Sequence, residues 1–114
     1  TMATHRLIVF TKPTDGNEDE YNRWYDEVHL REVLETPGFV AAQRFAIADA
    51  QIGDVADKAP SRYLAIYEIE ADSLEAALEK LNSGSGTMQM SDALDVNTAT
   101  AIAFSAIGER MESA

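Results

Sequence analysis

The stretch Glu18-Asp19-Glu20-Tyr21-Asn22-Arg23-Trp24-Tyr25-Asp26-Glu27-Val28-His29-Leu30-Arg31-Glu32-Val33-Leu34 carries two apolar stripes that a single straight helix cannot bury together. At about 100° per residue, Tyr21, Trp24, Tyr25 and Val28 fall within one arc, whereas Leu30, Val33 and Leu34 gather on another side of the wheel. The acidic residues that open the stretch suit the positive end of a starting helix. The change of face predicts a kink or break near His29-Leu30, which would put His29 at a helix end. Thr36-Pro37-Gly38 stops the second piece, because proline disfavours helical geometry in the residue before it.

Outward from this helix the chain alternates in the manner of strands. Arg6 to Thr11 is short, rich in β-branched and aromatic residues, and halted by Lys12-Pro13. Phe39 to Ala48 sets Phe39, Ala41, Gln43, Phe45 and Ile47 against Val40, Ala42, Arg44, Ala46 and Ala48, predicting a second strand. Ala50 to Ser61 is a polar connection. Arg62 to Glu70 is a third strand, with Tyr63, Ala65, Tyr67 and Ile69 opposite Leu64 and Ile66. Asp72-Ser73 can cap a helix bearing Leu74, Ala77, Leu78 and Leu81 that ends in Asn82-Ser83-Gly84. Gly86 to Thr98 fits no single pattern, and Ala99 to Gly108 is a fourth strand.

The order βαββαβ is that of a ferredoxin-like sandwich, an α+β fold with an antiparallel sheet and both helices on one face. A lone copy would expose the far face of the sheet to water, yet strands two, three and four are apolar or small on both faces. A second copy of the same sheet, related by a two-fold axis, would cover it and close a barrel. The alternative is a monomer that exposes small alanine side chains.

Composition narrows the functional classes. The 114 residues suffice for one core, so residues 1–114 are expected to form a single domain. Twenty Asp and Glu against nine Lys and Arg give a net charge of −11, which argues against nucleic acid or an anionic membrane as partner. With no cysteine, thiolate chemistry is excluded and a cytoplasmic address is expected, there being no apolar run of spanning length or secretory pattern at the N-terminus. Glycine-rich phosphate loops, a nucleophile elbow and HExxH are absent, and two histidines far apart in sequence make a metal site unexpected.

Among candidate residues, His5 precedes the first strand and reads as a solvated side chain. His29 lies one turn beyond Tyr25 and within helical reach of Asp26 and Glu32. Such a histidine can move a proton near neutral pH, with a carboxylate fixing its tautomer, or it can cap the broken helix through its ring N–H. Trp24 and Tyr21 read first as packing, whereas the polar tip of Tyr25 can orient a ligand oxygen. Arg44, in the middle of the second strand, needs either an acidic neighbour or an anionic ligand. Met88 and Met90, in a Gly- and Ser-rich segment, suit an adaptable lid or simply fill gaps.

The run Glu20 to Leu30, followed by Glu32-Val33-Leu34 and Pro37-Gly38-Phe39, resembles the helix-one signature of EthD-like proteins in the dimeric α/β-barrel superfamily. Tyr63-Leu64-Ala65-Ile66-Tyr67-Glu68 and Ile107-Gly108-Glu109-Arg110 are similar to that family's third strand and C-terminal end. The resemblance implies the ferredoxin-like fold, a homodimer, and a pocket between helix one and the sheet with His29 pointing into it. Where family members often carry proline after His-Leu, this chain has Arg31. Related barrels include cofactor-free monooxygenases, polyketide cyclases, lactone isomerases and dehydratases.

The expectation is therefore a cofactor-independent enzyme of lyase, dehydratase or cyclase type. It would act by acid/base catalysis on a small apolar, aromatic or polyketide-like substrate. His29 would be the acid or base, Tyr25 the orienting group, and Asp26 or Glu32 the partner of His29. Tyr21, Trp24, Arg44, Tyr63, Met88, Met90 and Phe104 would bind substrate. The alternatives are a non-catalytic binder of a hydrophobic metabolite, a cofactor-free monooxygenase, and a dimer with a purely structural role.

Overall fold

The computed structural model describes residues 3–114. Strands β1 (Ala3–Thr11), β2 (Phe39–Ala46), β3 (Tyr63–Ala71) and β4 (Thr100–Ser105) form one antiparallel sheet in the order β2-β3-β1-β4. Helices α1 (Glu18–Trp24), α2 (Leu30–Leu34) and α3 (Leu74–Gly84) pack on one face of it. That face carries Leu7, Tyr67 and Ile69, which are buried with Tyr21, Trp24, Val33 and Ala77 of the helices. Each large apolar side chain removed from water there contributes about 1.5–3 kcal/mol.

The change of helical face is resolved without a break. Between α1 and α2, residues Tyr25–His29 form a π-helical turn, in which the N–H of Leu30 reaches back to the carbonyl of Tyr25. His29 (φ −70°, ψ −44°) and Leu30 (φ −56°, ψ −43°) keep helical backbone angles, so the chain runs on continuously. The wider turn inserts an extra residue and shifts the phase of everything after it. Val33 thereby returns to the core that Tyr21, Trp24 and Tyr25 occupy, while Leu34 is exposed. His29 consequently lies inside a helix rather than at its end.

The second departure is in β2. Alternation groups Phe39 with Ala41, Gln43 and Phe45, but the register slips between Phe39 and Ala41. Phe39 pairs with Ile69 and enters the core, and Ala42 and Arg44 follow it on the helix side opposite Tyr67 and Ala65. Such a bulge re-aims side chains at the cost of one unpaired residue, here the exposed Val40. Gly38 introduces the strand with φ +94°, a left-handed conformation that a side chain would strain.

Ser73 caps α3 by accepting from the N–H of Ala76 at 3.1 Å. The ambiguous segment after α3 is one short turn at Ser85–Thr87 and then irregular chain tied to the end of β1. There the N–H of Thr14 donates to the carbonyl of Ala93 at 2.8 Å, and the N–H of Asp95 to that of Lys12 at 2.9 Å. The opposite face of the sheet, bearing Ile8, Phe10, Phe45, Leu64, Ile66, Ile102 and Phe104, is covered by no element among the described residues.

Candidate active site

A cavity of about 380 Å³ opens between the helices and the β1–β4 half of the sheet, within the range of small-molecule sites. Leu7 and Val9 of β1 form its floor with Ala101 and Ala103 of β4, which stand directly opposite them. These small alanines leave the space that larger residues would fill. Leu78, Leu81 and Asn82 of α3 line one wall, Tyr25, His29 and Val33 another, and Ser85, Met88 and Met90 the rim. No Asp, Glu, Lys or Arg lines it, and His29 is the one lining side chain that ionises near neutral pH.

The π-helical turn places both Tyr25 and His29 on this wall. The His29 ring stacks on Trp24 (centroids 4.6 Å apart, planes 20° apart) and meets Tyr25 edge-on at 5.1 Å. Its Nδ1 is buried without a hydrogen-bond partner, so the ring caps nothing. Burial lowers the His29 pKa below its ordinary value, and the charge of Glu32 opposes this only in part. Burial thus favours the neutral imidazole.

Neither predicted carboxylate hydrogen-bonds to His29. Asp26 instead accepts from Arg44 Nη1 at 2.7 Å, and its side chain is 60% exposed on the far side of the helix. Glu32 accepts from the backbone N–H of Gln89 at 3.0 and 3.1 Å through its two oxygens. Trp24 Nε1 donates to the carbonyl of the same Gln89 at 2.7 Å. Both backbone groups of Gln89 are thus clamped from the helix, which sets Met88 and Met90 on either side of it at the cavity rim.

Four predicted binding residues stand away from the cavity. Arg44 is 12% exposed, bonded to Asp26 and to Asn22 Oδ1 at 2.8 Å, and stacked over the rings of Tyr25, Tyr21 and Tyr63 at 4.5, 5.3 and 5.5 Å. Tyr21 is fully buried with its hydroxyl bonded to Thr11. Tyr63 gives its hydroxyl to Glu18. Phe104 pairs with Arg6 on the uncovered face of the sheet, where it is 58% exposed and cannot reach the cavity. Trp24 acts behind the wall, as the surface on which His29 stacks.

Sequence reasoning passed over Tyr67. It lines the cavity, is 2% exposed, and its hydroxyl has no hydrogen-bond partner. The signal was available: a tyrosine on the same strand face as Ala65 and Ile69 must find a partner for its oxygen in the core. His5 also differs from expectation, being buried at the start of the sheet with Nδ1 2.7 Å from Ser105 Oγ.

No family model matches the sequence, and no curated protein matches it. Solved structures do match. An ethyl tert-butyl ether D (EthD) family protein from Bacillus halodurans superposes with a TM-score of 0.55 at 18% identity, over 95% of this chain and 99% of its own. The chain shares that fold. A dimeric ferredoxin-like protein of unknown function from Thermobifida fusca is similar over 93% of both chains (TM-score 0.52, 10% identity). SnoaB, a cofactor-independent oxygenase from Streptomyces nogalater, is similar over 96% of this chain and 99% of its own (TM-score 0.52, 12% identity). The ferredoxin-like architecture is thereby common to proteins of several descriptions, and the activity has to be argued from the cavity. No helix is long and apolar enough to cross a membrane.

Proposed function

We propose that the cavity binds one small, neutral, ring-bearing molecule and that His29 transfers a proton on it, in a lyase, dehydratase or cyclase reaction without cofactor. The observation that carries this reading is an imidazole with a buried, unpartnered Nδ1 on the wall of an apolar cavity with no protein group occupying it. Its Nδ1 is sealed, so chemistry falls to Nε2, which serves as base when the ring proton is on Nδ1 and as acid in the other tautomer.

A carbon acid next to a carbonyl fits these groups. Nε2 takes the proton, the C–H electron pair moves onto the carbonyl oxygen, and Tyr25 donates its hydrogen to that oxygen. If a hydroxyl stands β to the carbonyl, the electron pair returns to form a C=C bond. The hydroxyl then departs as water with the proton held by His29. If a second carbonyl lies within reach, the enolate carbon attacks it, a ring closes, and the resulting alkoxide takes back the proton held by His29. Trp24 and the methionines exclude water from the uncharged site.

A proton-exchange assay tests this. Incubated with 1-tetralone in D2O, the protein is expected to speed deuterium incorporation beside the carbonyl, read by NMR. His29→Gln should slow this by about 10²–10⁴-fold. Because burial lowers the pKa of His29, the acid limb of the rate profile should fall below the ordinary histidine value of about 6.5. Binding without exchange would instead identify a carrier of a hydrophobic metabolite. A cofactor-free oxygenase is the second reading, favoured by the fold shared with SnoaB. Oxygen uptake during conversion of 1-naphthol to 1,4-naphthoquinone and water would establish it.

The working unit in this proposal is a homodimer. The uncovered sheet face presents Phe45, Ile102 and Phe104 as exposed apolar side chains, and the Thermobifida protein of the same fold is dimeric. Sedimentation equilibrium should give twice the chain mass, and Phe104→Glu should shift the population to monomer.

A further inference from the structure

We infer that Tyr67, acting through Tyr25, makes the inner end of the cavity a site for one neutral carbonyl oxygen, selecting ketones and quinones over carboxylates and over plain hydrocarbons. This rests on the proposed small-molecule reading of the cavity and names its substrate class. The Tyr67 hydroxyl is the one tyrosine oxygen among the described residues that is fully buried with no partner. An unpaired buried hydroxyl is a standing loss of stability, and its neighbours are what give it a use.

The hydroxyl of Tyr25 is close enough to bear on the protonation of Tyr67, but the two do not meet hydrogen-bond geometry. Both rings line the same cavity. On the other side of Tyr25, the Arg44 guanidinium sits 4.5 Å from the ring centroid and is fixed there by Asp26 and Asn22. A cation over the ring draws electron density from the phenol and makes its O–H a better donor. When a carbonyl oxygen accepts from Tyr25, the Tyr25 oxygen is free to accept from Tyr67. Each bond in such a chain strengthens the next.

Charge decides the ligand class. Arg44 is on the far side of the Tyr25 ring and does not line the cavity, so a carboxylate entering it would lose its hydration with no cation in contact. Burial raises the pKa of both phenols, which keeps them protonated and therefore donors. A neutral carbonyl meets two donors in series and no repelling charge. A hydrocarbon would fill the cavity and leave both hydroxyls unbonded.

Trp24, the single tryptophan, reports binding because His29 stacks on it at the cavity wall. Quenching of its fluorescence by 1-tetralone, tetralin and 1-naphthoate gives three affinities at neutral pH. 1-Tetralone is expected to bind about tenfold more tightly than tetralin, and 1-naphthoate more weakly than either. Tyr25→Phe should abolish the preference for the ketone, and Tyr67→Phe should reduce it about threefold while leaving tetralin affinity unchanged. The carbonyl stretch of bound 1-tetralone should lie lower in the native protein than in Tyr67→Phe, a shift that a merely structural role would not produce. An unchanged preference and stretch in Tyr67→Phe, or tight binding of 1-naphthoate, would overturn the proposal. His29→Gln should keep the ketone preference, so a failure of proton transfer and a failure of oxygen recognition give different results.

Discussion

The two sides of the Tyr25 ring are built on opposite rules. On the Arg44 side the polar groups meet partners: Arg44 with Asp26 and Asn22, Tyr21 with Thr11, Tyr63 with Glu18. On the cavity side the buried Nδ1 of His29 and hydroxyl of Tyr67 meet none. Folding alone favours the first arrangement, since each buried polar group left unpaired costs about 1–3 kcal/mol. The matched side is therefore scaffold, and on the other side the Tyr67 hydroxyl is the group whose loss the proposed ligand would offset.

The largest effect should come from breaking the matched side. Arg44→Ala removes a guanidinium stacked on three tyrosine rings and both of its hydrogen bonds. A loss of about 3 kcal/mol is expected, a fall in Tm of roughly 10–20 °C by calorimetry. Asp26 is mostly exposed and is rehydrated when its partner leaves, so the loss reflects stacking more than a stranded charge. A change under about 1 kcal/mol would show that the cluster is not scaffold, and the contrast between the two sides would collapse.

What could be read from the sequence divides along the same line. The element order and the apolar stripe of Tyr21, Trp24 and Tyr25 are properties of local periodicity, and they gave the sandwich and its core. The conflict between that stripe and Val33 was also legible, but not its resolution. A kink and a π-helical turn both reconcile two faces of one helix, and only the backbone shows which occurs. The β2 bulge was invisible because alternation assumes one residue per step, and it moved Phe39 to the helix side. Pairing was the least legible. Helical spacing put Asp26 within reach of His29, but spacing within a helix says nothing of Arg44, which arrives from β2 and takes that carboxylate. Tyr67 was hidden for the same reason, since an unsatisfied hydroxyl becomes apparent only when every potential partner is placed.

The smaller effect should come from relieving the unmatched side, and its sign is what separates the two. Tyr67→Phe removes only the oxygen, keeps the ring against Phe39 (centroids 6.3 Å apart), and deletes a buried donor that has no acceptor. In the free protein this should raise stability by about 1 kcal/mol, seen as a Tm a few degrees higher. Most substitutions of a residue 2% exposed lower stability, so an increase is not an outcome that generic core disruption can mimic. Bound 1-tetralone should stabilise the native protein more than the variant, because a ketone that accepts from Tyr25 lets the Tyr25 oxygen accept from Tyr67. If Tyr67→Phe were instead destabilising by a similar amount, the hydroxyl would have a partner in the folded protein, and the cavity side of Tyr25 would be scaffold like the other.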